Sequence, residues 1–137
     1  MRKLILASHG ECATGMKHSL DMIAGSMAAD IEVCTLYPGQ SPDDMAQALR
    51  EEINHNGTDF YIIATDLKGG SVHTALTSLL TFSNVVMFCG MNMSLLLSLV
   101  LLQETPFTHE TGIRLLKEAR ESMEFLEEIQ EMEMDDF

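Results

Sequence analysis

Arg2-Lys3-Leu4-Ile5-Leu6-Ala7-Ser8-His9-Gly10 is an apolar run that stops on a small-residue turn carrying one imidazole. Such a run reads as a buried first strand, Lys3 to Ala7, of the kind found in parallel sheets covered on both faces. Downstream, Met16, Leu20, Ile23 and Met27 recur at helical spacing and predict a helix ending around Gly25 to Ala29. Ile31 to Tyr37 alternates as a second strand, and Pro38-Gly39 stops it. Ser41-Pro42-Asp43-Asp44 is a helix start, with Ser41 as cap and Pro42 in the first turn, and the helix runs through Met45, Leu49 and Ile53 to Asn56-Gly57. Phe60 to Thr65 is a continuous β-rich run that ends at Asp66. The glycine turn Asp66-Leu67-Lys68-Gly69-Gly70-Ser71 then leads into a helix from Val72 to Leu80. Asn84 to Cys89 is a fourth strand, Gly90-Met91-Asn92 turns into a helix at Met93 to Leu102, and Thr108 to about Arg120 is a final amphipathic helix. Ser122 to Leu126 either continues that helix or forms a short strand.

Strands alternating with helices define an α/β protein with an open, mostly parallel sheet and helices on both faces. Four strands in this order suggest a flavodoxin-like sheet, 2-1-3-4, in which the winding reverses between strands one and three. Ligands collect outside the carboxyl ends of the strands at that reversal. His9 ends strand one and Asp66 ends strand three, so the topology brings them face to face across the crevice. An aspartate accepting from one ring nitrogen sets the tautomer and leaves the other nitrogen as a lone-pair nucleophile. It also stabilises positive charge on the ring once that nitrogen forms a bond. Gly69 and Gly70 allow close backbone approach, Ser71 is placed to cap the next helix, and Gly10 to Gly15 begins another helix on the opposite wall. Two helix amino ends beside one imidazole favour an anion, and a phosphoryl group is the first choice. With no Walker motif in the chain, that group is expected to arrive on another protein.

Bulk properties exclude several other classes. The chain has 137 residues, 46% of them apolar, enough for one domain, set at residues 1–126, with an acidic tail over 127–137. Formal charge is -13, and residues 118–137 carry nine acidic side chains against Arg120 alone. Nucleic acid and anionic membrane are therefore poor partners, because this chain offers them little positive charge. Cys12, Cys34 and Cys89 are scattered and form no CxxC pair, which argues against a disulfide framework or structural zinc and for a reducing cytoplasm. No signal peptide is visible, and the apolar run at Met93 to Leu102 is too short to span a bilayer.

His9-Gly10 after the first strand, Ala13-Thr14-Gly15-Met16, Asp66 followed by Gly69-Gly70-Ser71, and Cys89-Gly90-Met91-Asn92 after the fourth strand together resemble the IIA component of the mannose/fructose/sorbose-family phosphotransferase system. The likeness runs over roughly residues 2–126 in motif order and spacing. It implies a phosphotransferase in which His9 takes a phosphoryl group on Nε2 from the carrier HPr and passes it to a IIB component for sugar uptake. Asp66 would support Nδ1, Gly70 and Ser71 would bind phosphate, and Ser8 and Asn92 would play supporting roles. Lys68 and His73 are read as partner-facing. The resemblance further implies a homodimer that exchanges a short C-terminal antiparallel strand, for which Ser122 to Leu126 is placed, and it implies no cofactor and no metal.

Departures from the family pattern are local. Val72 stands where proline often follows Gly-Gly-Ser, Ser94 where proline often follows the Gly-x-Asn turn, and Leu67-Lys68 replaces a turn that often carries an aromatic residue. Other readings use the same residues. One is the phosphocarrier subunit of a phosphoenolpyruvate-dependent dihydroxyacetone kinase; another is a regulatory module switched by phosphorylation of His9. A metal-dependent hydrolase built on His9, Asp66, His73 and Cys12 lacks a recognisable ligand spacing. The bland alternatives are an ordinary polar strand-end histidine and, for Asp66 and Ser71, simple helix capping.

Overall fold

Alternate residues of the first strand enter two different cores, which is what forces helices onto both faces of the sheet. In the computed structural model, which describes residues 1–129, β1 (Arg2–His9) sends Ile5 and Ala7 to one side and Leu6 to the other. The chain continues as α1 (Cys12–Ala24) with a 3-10 turn at Gly25–Ala28, β2 (Glu32–Leu36), α2 (Pro42–His55) and β3 (Phe60–Thr65). It ends with α3 (Ser71–Leu76) running on as a 3-10 turn at Thr77–Thr81, β4 (Val85–Cys89), α4 (Met93–Leu101) and α5 (His109–Glu121). The four strands lie in the order β2-β1-β3-β4 and every pair is parallel, so the open α/β sheet read from the sequence is the sheet observed.

On one face α2 and α3 bury Ala46, Leu49, Ile53, Val72 and Leu76 against Ile5, Ala7 and Ile63. On the other, α1, α4 and α5 bury Ala13, Leu20, Leu95, Leu96, Leu99 and Leu115 against Leu6, Ile62 and Ala64. Register places His9 beside Leu36 and Ala7 beside Thr65, so the ends of β1, β2 and β3 open into one crevice.

Two local expectations are corrected. The face of α1 that meets the sheet is Ala13, Met16, Leu20 and Ala24, while Ile23 is 61% and Met27 52% exposed. Small Ala13 and Ala24 lie on the stripe that lets this helix approach the strands, and counting only large side chains shifted the stripe by one position. The helix after Ser71 keeps α geometry only to Leu76 before tightening to 3-10. Residues 122–129 form no strand within this chain, and Met123, Phe125 and Ile129 are exposed there. The acidic end expected over 127–137 lies outside the described residues from 130 onward.

Candidate functional site

His9 and Asp66 meet as the topology requires. Asp66 Oδ2 accepts from the His9 backbone N–H at 2.9 Å and lies 2.9 Å from ring Nδ1, while Asp66 Oδ1 accepts from the Leu67 N–H at 3.0 Å. A carboxylate receiving that many N–H groups holds the ring proton on Nδ1 and leaves Nε2 as the lone pair. Burial works against ionisation of Asp66, but the His9 backbone and ring bonds outweigh it and bring its pKa below the ordinary carboxylate value. The His9 side chain is 45% exposed and that of Asp66 16%, so the ring faces solvent while the carboxylate beside it is covered.

Ser71 plays a different part from the cap expected of it. Gly70 is the N-cap of α3 and makes no side-chain cap; Ser71 is the first helical residue, and its Oγ lies 3.0 Å from His9 Nε2. With the ring proton on Nδ1, the hydroxyl donates to Nε2 and marks the direction in which that lone pair points. Helix α3 starts here, so the N–H groups of its first turn have no intrahelical acceptor.

Gly70 supplies clearance. Its N–H donates to Leu67 O at 3.1 Å, and a Cβ built on it would meet Leu67 O at 3.2 Å and His9 Cε1 at 3.3 Å. Gly69 before it adopts a φ of 78°, the left-handed backbone that lets the turn fold back on the ring. Gly10, at φ 51°, turns the chain out of β1, and its N–H donates to Leu36 O at 2.7 Å.

The remaining predicted residues sit around this group rather than in it. Ser8 is fully buried and its Oγ accepts from Ala13 N–H at 2.8 Å, tying the end of β1 to the first turn of α1, whose N-cap Glu11 makes no side-chain cap. Asn92 caps α4 through Leu95 N–H at 2.8 Å and donates from Nδ2 to Ala119 O at 3.2 Å. It therefore anchors the end of α5 to the turn after β4. Lys68 lines a groove of about 340 Å³ together with Arg120, Asn92 and Met123, on the β4 and α5 side of the turn. His73 is half-buried, with Nδ1 3.3 Å from the Thr65 hydroxyl, which itself donates to Phe88 O at 3.4 Å. Thr65 was not singled out from the sequence; its place immediately before Asp66 at the end of a buried strand was the available signal. Cys12 is exposed on α1. Among the described residues, no group of three or more His, Cys, Asp or Glu is arranged to hold a metal ion.

An open parallel sheet with a carboxylate-oriented histidine at its topological reversal is the frame of an α/β protein built for group transfer at a strand end. The chain belongs to the IIA family of the mannose/fructose/sorbose phosphotransferase systems: the family model described as "PTS system fructose IIA component" matches residues 3–112. Among solved structures, the mannose/sorbose-specific IIA subunit from Enterococcus faecalis aligns with a TM-score of 0.81 at 20% identity, covering 96% of this chain and 98% of that one. The component EIIA from Streptococcus agalactiae aligns with a TM-score of 0.76 at 26% identity over 91% and 97% of the two chains. The IIA protein associated with the fucose utilization operon of Streptococcus pneumoniae aligns with a TM-score of 0.74 at 24% identity over 90% and 92%. No curated protein matches the chain in sequence. Among the described residues no helix is long and apolar enough to cross a membrane. Family membership carries phosphotransferase activity in general terms.

Proposed function

We propose that the chain is a cytoplasmic phosphoryl carrier that accepts a phosphoryl group from phospho-HPr on His9 Nε2 and passes it to a IIB component for sugar uptake and phosphorylation. The observation that carries this reading is the half-exposed His9 ring, held by Asp66 at Nδ1 and met at Nε2 by the Ser71 hydroxyl. In the forward step the Nε2 lone pair attacks phosphorus, the N–P bond of the donor breaks, and its electron pair returns to the donor ring. The His9 ring then carries positive charge that the Asp66 carboxylate offsets, and the Ser71 O–H turns from Nε2 to a phosphoryl oxygen. Because the bond formed and the bond broken are both N–P, the exchange is close to thermoneutral. Positioning and charge stabilisation supply the rate.

The carrier acts as a homodimer that exchanges residues 122–126. Two features support this. Among the described residues the outer edge of β4 is unpaired, and the segment that would fill a partner's edge leaves Met123 76% and Phe125 85% exposed. Next to that edge, Phe60, Val86, Phe88, Phe107 and Leu116 line an apolar groove of about 420 Å³. Truncation before Ser122 is expected to give monomer or aggregate by light scattering; an unchanged dimer would remove the strand exchange.

The test of the carrier reading is intact-protein mass after incubation with phosphoenolpyruvate, enzyme I and HPr. One acid-labile phosphoryl group is expected on the wild type and none on His9→Ala. No added mass, with HPr itself shown to be phosphorylated, would move the reading to a regulatory module or another donor.

A further inference from the structure

Tyr61 and Ile63 enter the core under α2 and α3, and the alternation of β3 carries Thr65 to the same face. An apolar residue would suit that position, yet the chain places a hydroxyl there, and Thr65 is fully buried. A buried hydroxyl needs partners. Its one proton goes to Phe88 O on β4 at 3.4 Å, so His73 Nδ1, 3.3 Å away, is the donor to Thr65 Oγ1. His73 lies two residues after Ser71, in the first turn of α3. The Thr65 carbonyl also accepts from Met91 N–H at 3.0 Å, so the residue just before Asp66 joins β3 to β4, to the turn after β4 and to α3. Helix α3 has few other ties. It is six residues long, its N-cap Gly70 makes no side-chain bond, and the packing of Val72 and Leu76 is non-directional. Among the described residues, the His73–Thr65 contact is the one side-chain hydrogen bond from α3 to the sheet besides that of Ser71 to His9 itself.

We infer that His73 is a positioning residue for transfer at His9: through the buried Thr65 hydroxyl it fixes the first turn of α3 on the end of β3 and so sets the Ser71 hydroxyl against His9 Nε2. The inference rests on the carrier reading above. The imidazole is held from two elements, by Asp66 after the end of β3 at 2.9 Å and by Ser71 at the start of α3 at 3.0 Å. Thr65 directly precedes the first of these residues and His73 follows the second by two, so one hydrogen bond sets the spacing between the two arms. During transfer the Ser71 O–H passes from Nε2 to a phosphoryl oxygen, and it stabilises charge there only if it is already in place when that charge develops. A misplacement of about 1 Å, from a change remote from the reacting atoms, is enough to cost much of such a contribution. His73 acts through Thr65 and Ser71, not on the phosphoryl group.

The experiment removes the donor, restores it, and asks whether its effect runs through Ser71. Rates of His9 phosphorylation are measured with phospho-HPr and with phosphoramidate for the wild type, His73→Ala, His73→Asn, Ser71→Ala and the Ser71→Ala/His73→Ala double variant, each shown to be folded by circular dichroism. His73→Ala is expected to lower kcat about tenfold with phospho-HPr, to leave KM within about twofold, and to slow labelling by phosphoramidate by a similar factor. His73→Asn offers a side-chain N–H close to where Nδ1 stands and should recover to within about threefold of wild type. In the Ser71→Ala background, removing His73 should cost less than about twofold, because the group it positions is gone. An unchanged kcat in His73→Ala would overturn the inference, and so would a His73→Asn variant as slow as His73→Ala. An undiminished loss in the Ser71→Ala background would overturn it by making His73 a general support of the fold, and a KM rise confined to phospho-HPr by making it a partner contact. A wild-type chain that neither donor labels would remove the carrier reading itself, and the inference with it.

Discussion

The two ends of this sheet handle buried charge in opposite ways. At the carboxyl end Asp66 accepts from the His9 and Leu67 amides and holds the imidazole, so each of its oxygens has a partner, and its pKa is lowered. At the amino end Lys3, Glu32 and Tyr61 occupy neighbouring strands under α2, and Glu52 Oε2 and the Tyr61 hydroxyl are buried with no hydrogen-bond partner among the described residues. Burial, followed by the Glu52 carboxyl beside it, pushes the pKa of Glu32 up, and burial together with Glu32 and Glu52 pushes the Cys34 thiol up to about 11. Burial first and Glu52 second also raise the Tyr61 phenol. Both ends contain perturbed groups, yet at the carboxyl end the carboxylate holds a half-exposed imidazole. Perturbed protonation by itself therefore does not mark a site here; what distinguishes the carboxyl end is complete satisfaction of the orienting carboxylate combined with exposure of the ring it orients.

The largest effect expected from breaking this contrast is at His9. His9→Ala should abolish phosphoryl acceptance while leaving circular dichroism and the thermal transition close to wild type, since the ring is half exposed and fills no core. Asp66→Asn comes next. It keeps the shape but offers Nδ1 a weaker, ambiguous partner, and transfer should slow by about a hundredfold or more in rapid-quench kinetics. A fully active variant would show that Asp66 does not orient the ring. Gly70→Ala should cost about tenfold or more, because a methyl 3.3 Å from His9 Cε1 must displace the imidazole from one of its two partners.

The smallest effects concern stability, and their signs separate the two ends. Asp66 has a lowered pKa in the fold, so its contribution is present above the ordinary carboxylate value and is lost as pH falls through the lowered one. Asp66→Asn should therefore reduce stability at neutral pH and matter little once the pH has fallen below the lowered value. Glu32 has a raised pKa, so its contribution is present in acid and is lost as pH rises from the ordinary value through the raised one. Glu52→Gln should accordingly raise Tm by about 3 °C at pH 8, a change below about 1 kcal/mol for a chain of this size, and the gain should fade near pH 4. A Tm that falls at pH 8 would mean that the Glu52 carboxylate stabilises the fold through Lys3 after all.

Sheet order, strand positions and the meeting of His9 with Asp66 were legible in the linear sequence, because each rests on local pattern plus a strong topological rule. Apolar runs bounded by turns mark buried strands, and a parallel sheet with short connections leaves few ways to order them. Once strands one and three are neighbours, the residues that end them share a crevice. Ser41 capping α2 through Asp44 N–H and Thr108 forming a capping box with Thr111 are likewise local matters of the first turn.

What the tertiary structure alone decided is which way each polar group turned. Ser71 reads as a cap, yet its hydroxyl is drawn to Nε2 because a ring from a distant strand arrives beside it and Gly70 takes the N-cap position. Gly70 reads as a backbone donor, yet its amide closes the turn on Leu67 and its missing side chain makes room for the imidazole. Asn92 reads as a neighbour of the site, yet it ties α4 to the end of α5. The apolar face of α1 was misjudged for the same reason: close approach to the sheet selects small residues, and periodicity of large ones does not report it. Spacing along the chain carries strand ends to one place, but the partner of a hydroxyl or an amide is chosen by atoms contributed from elsewhere in the fold, at distances no local pattern encodes.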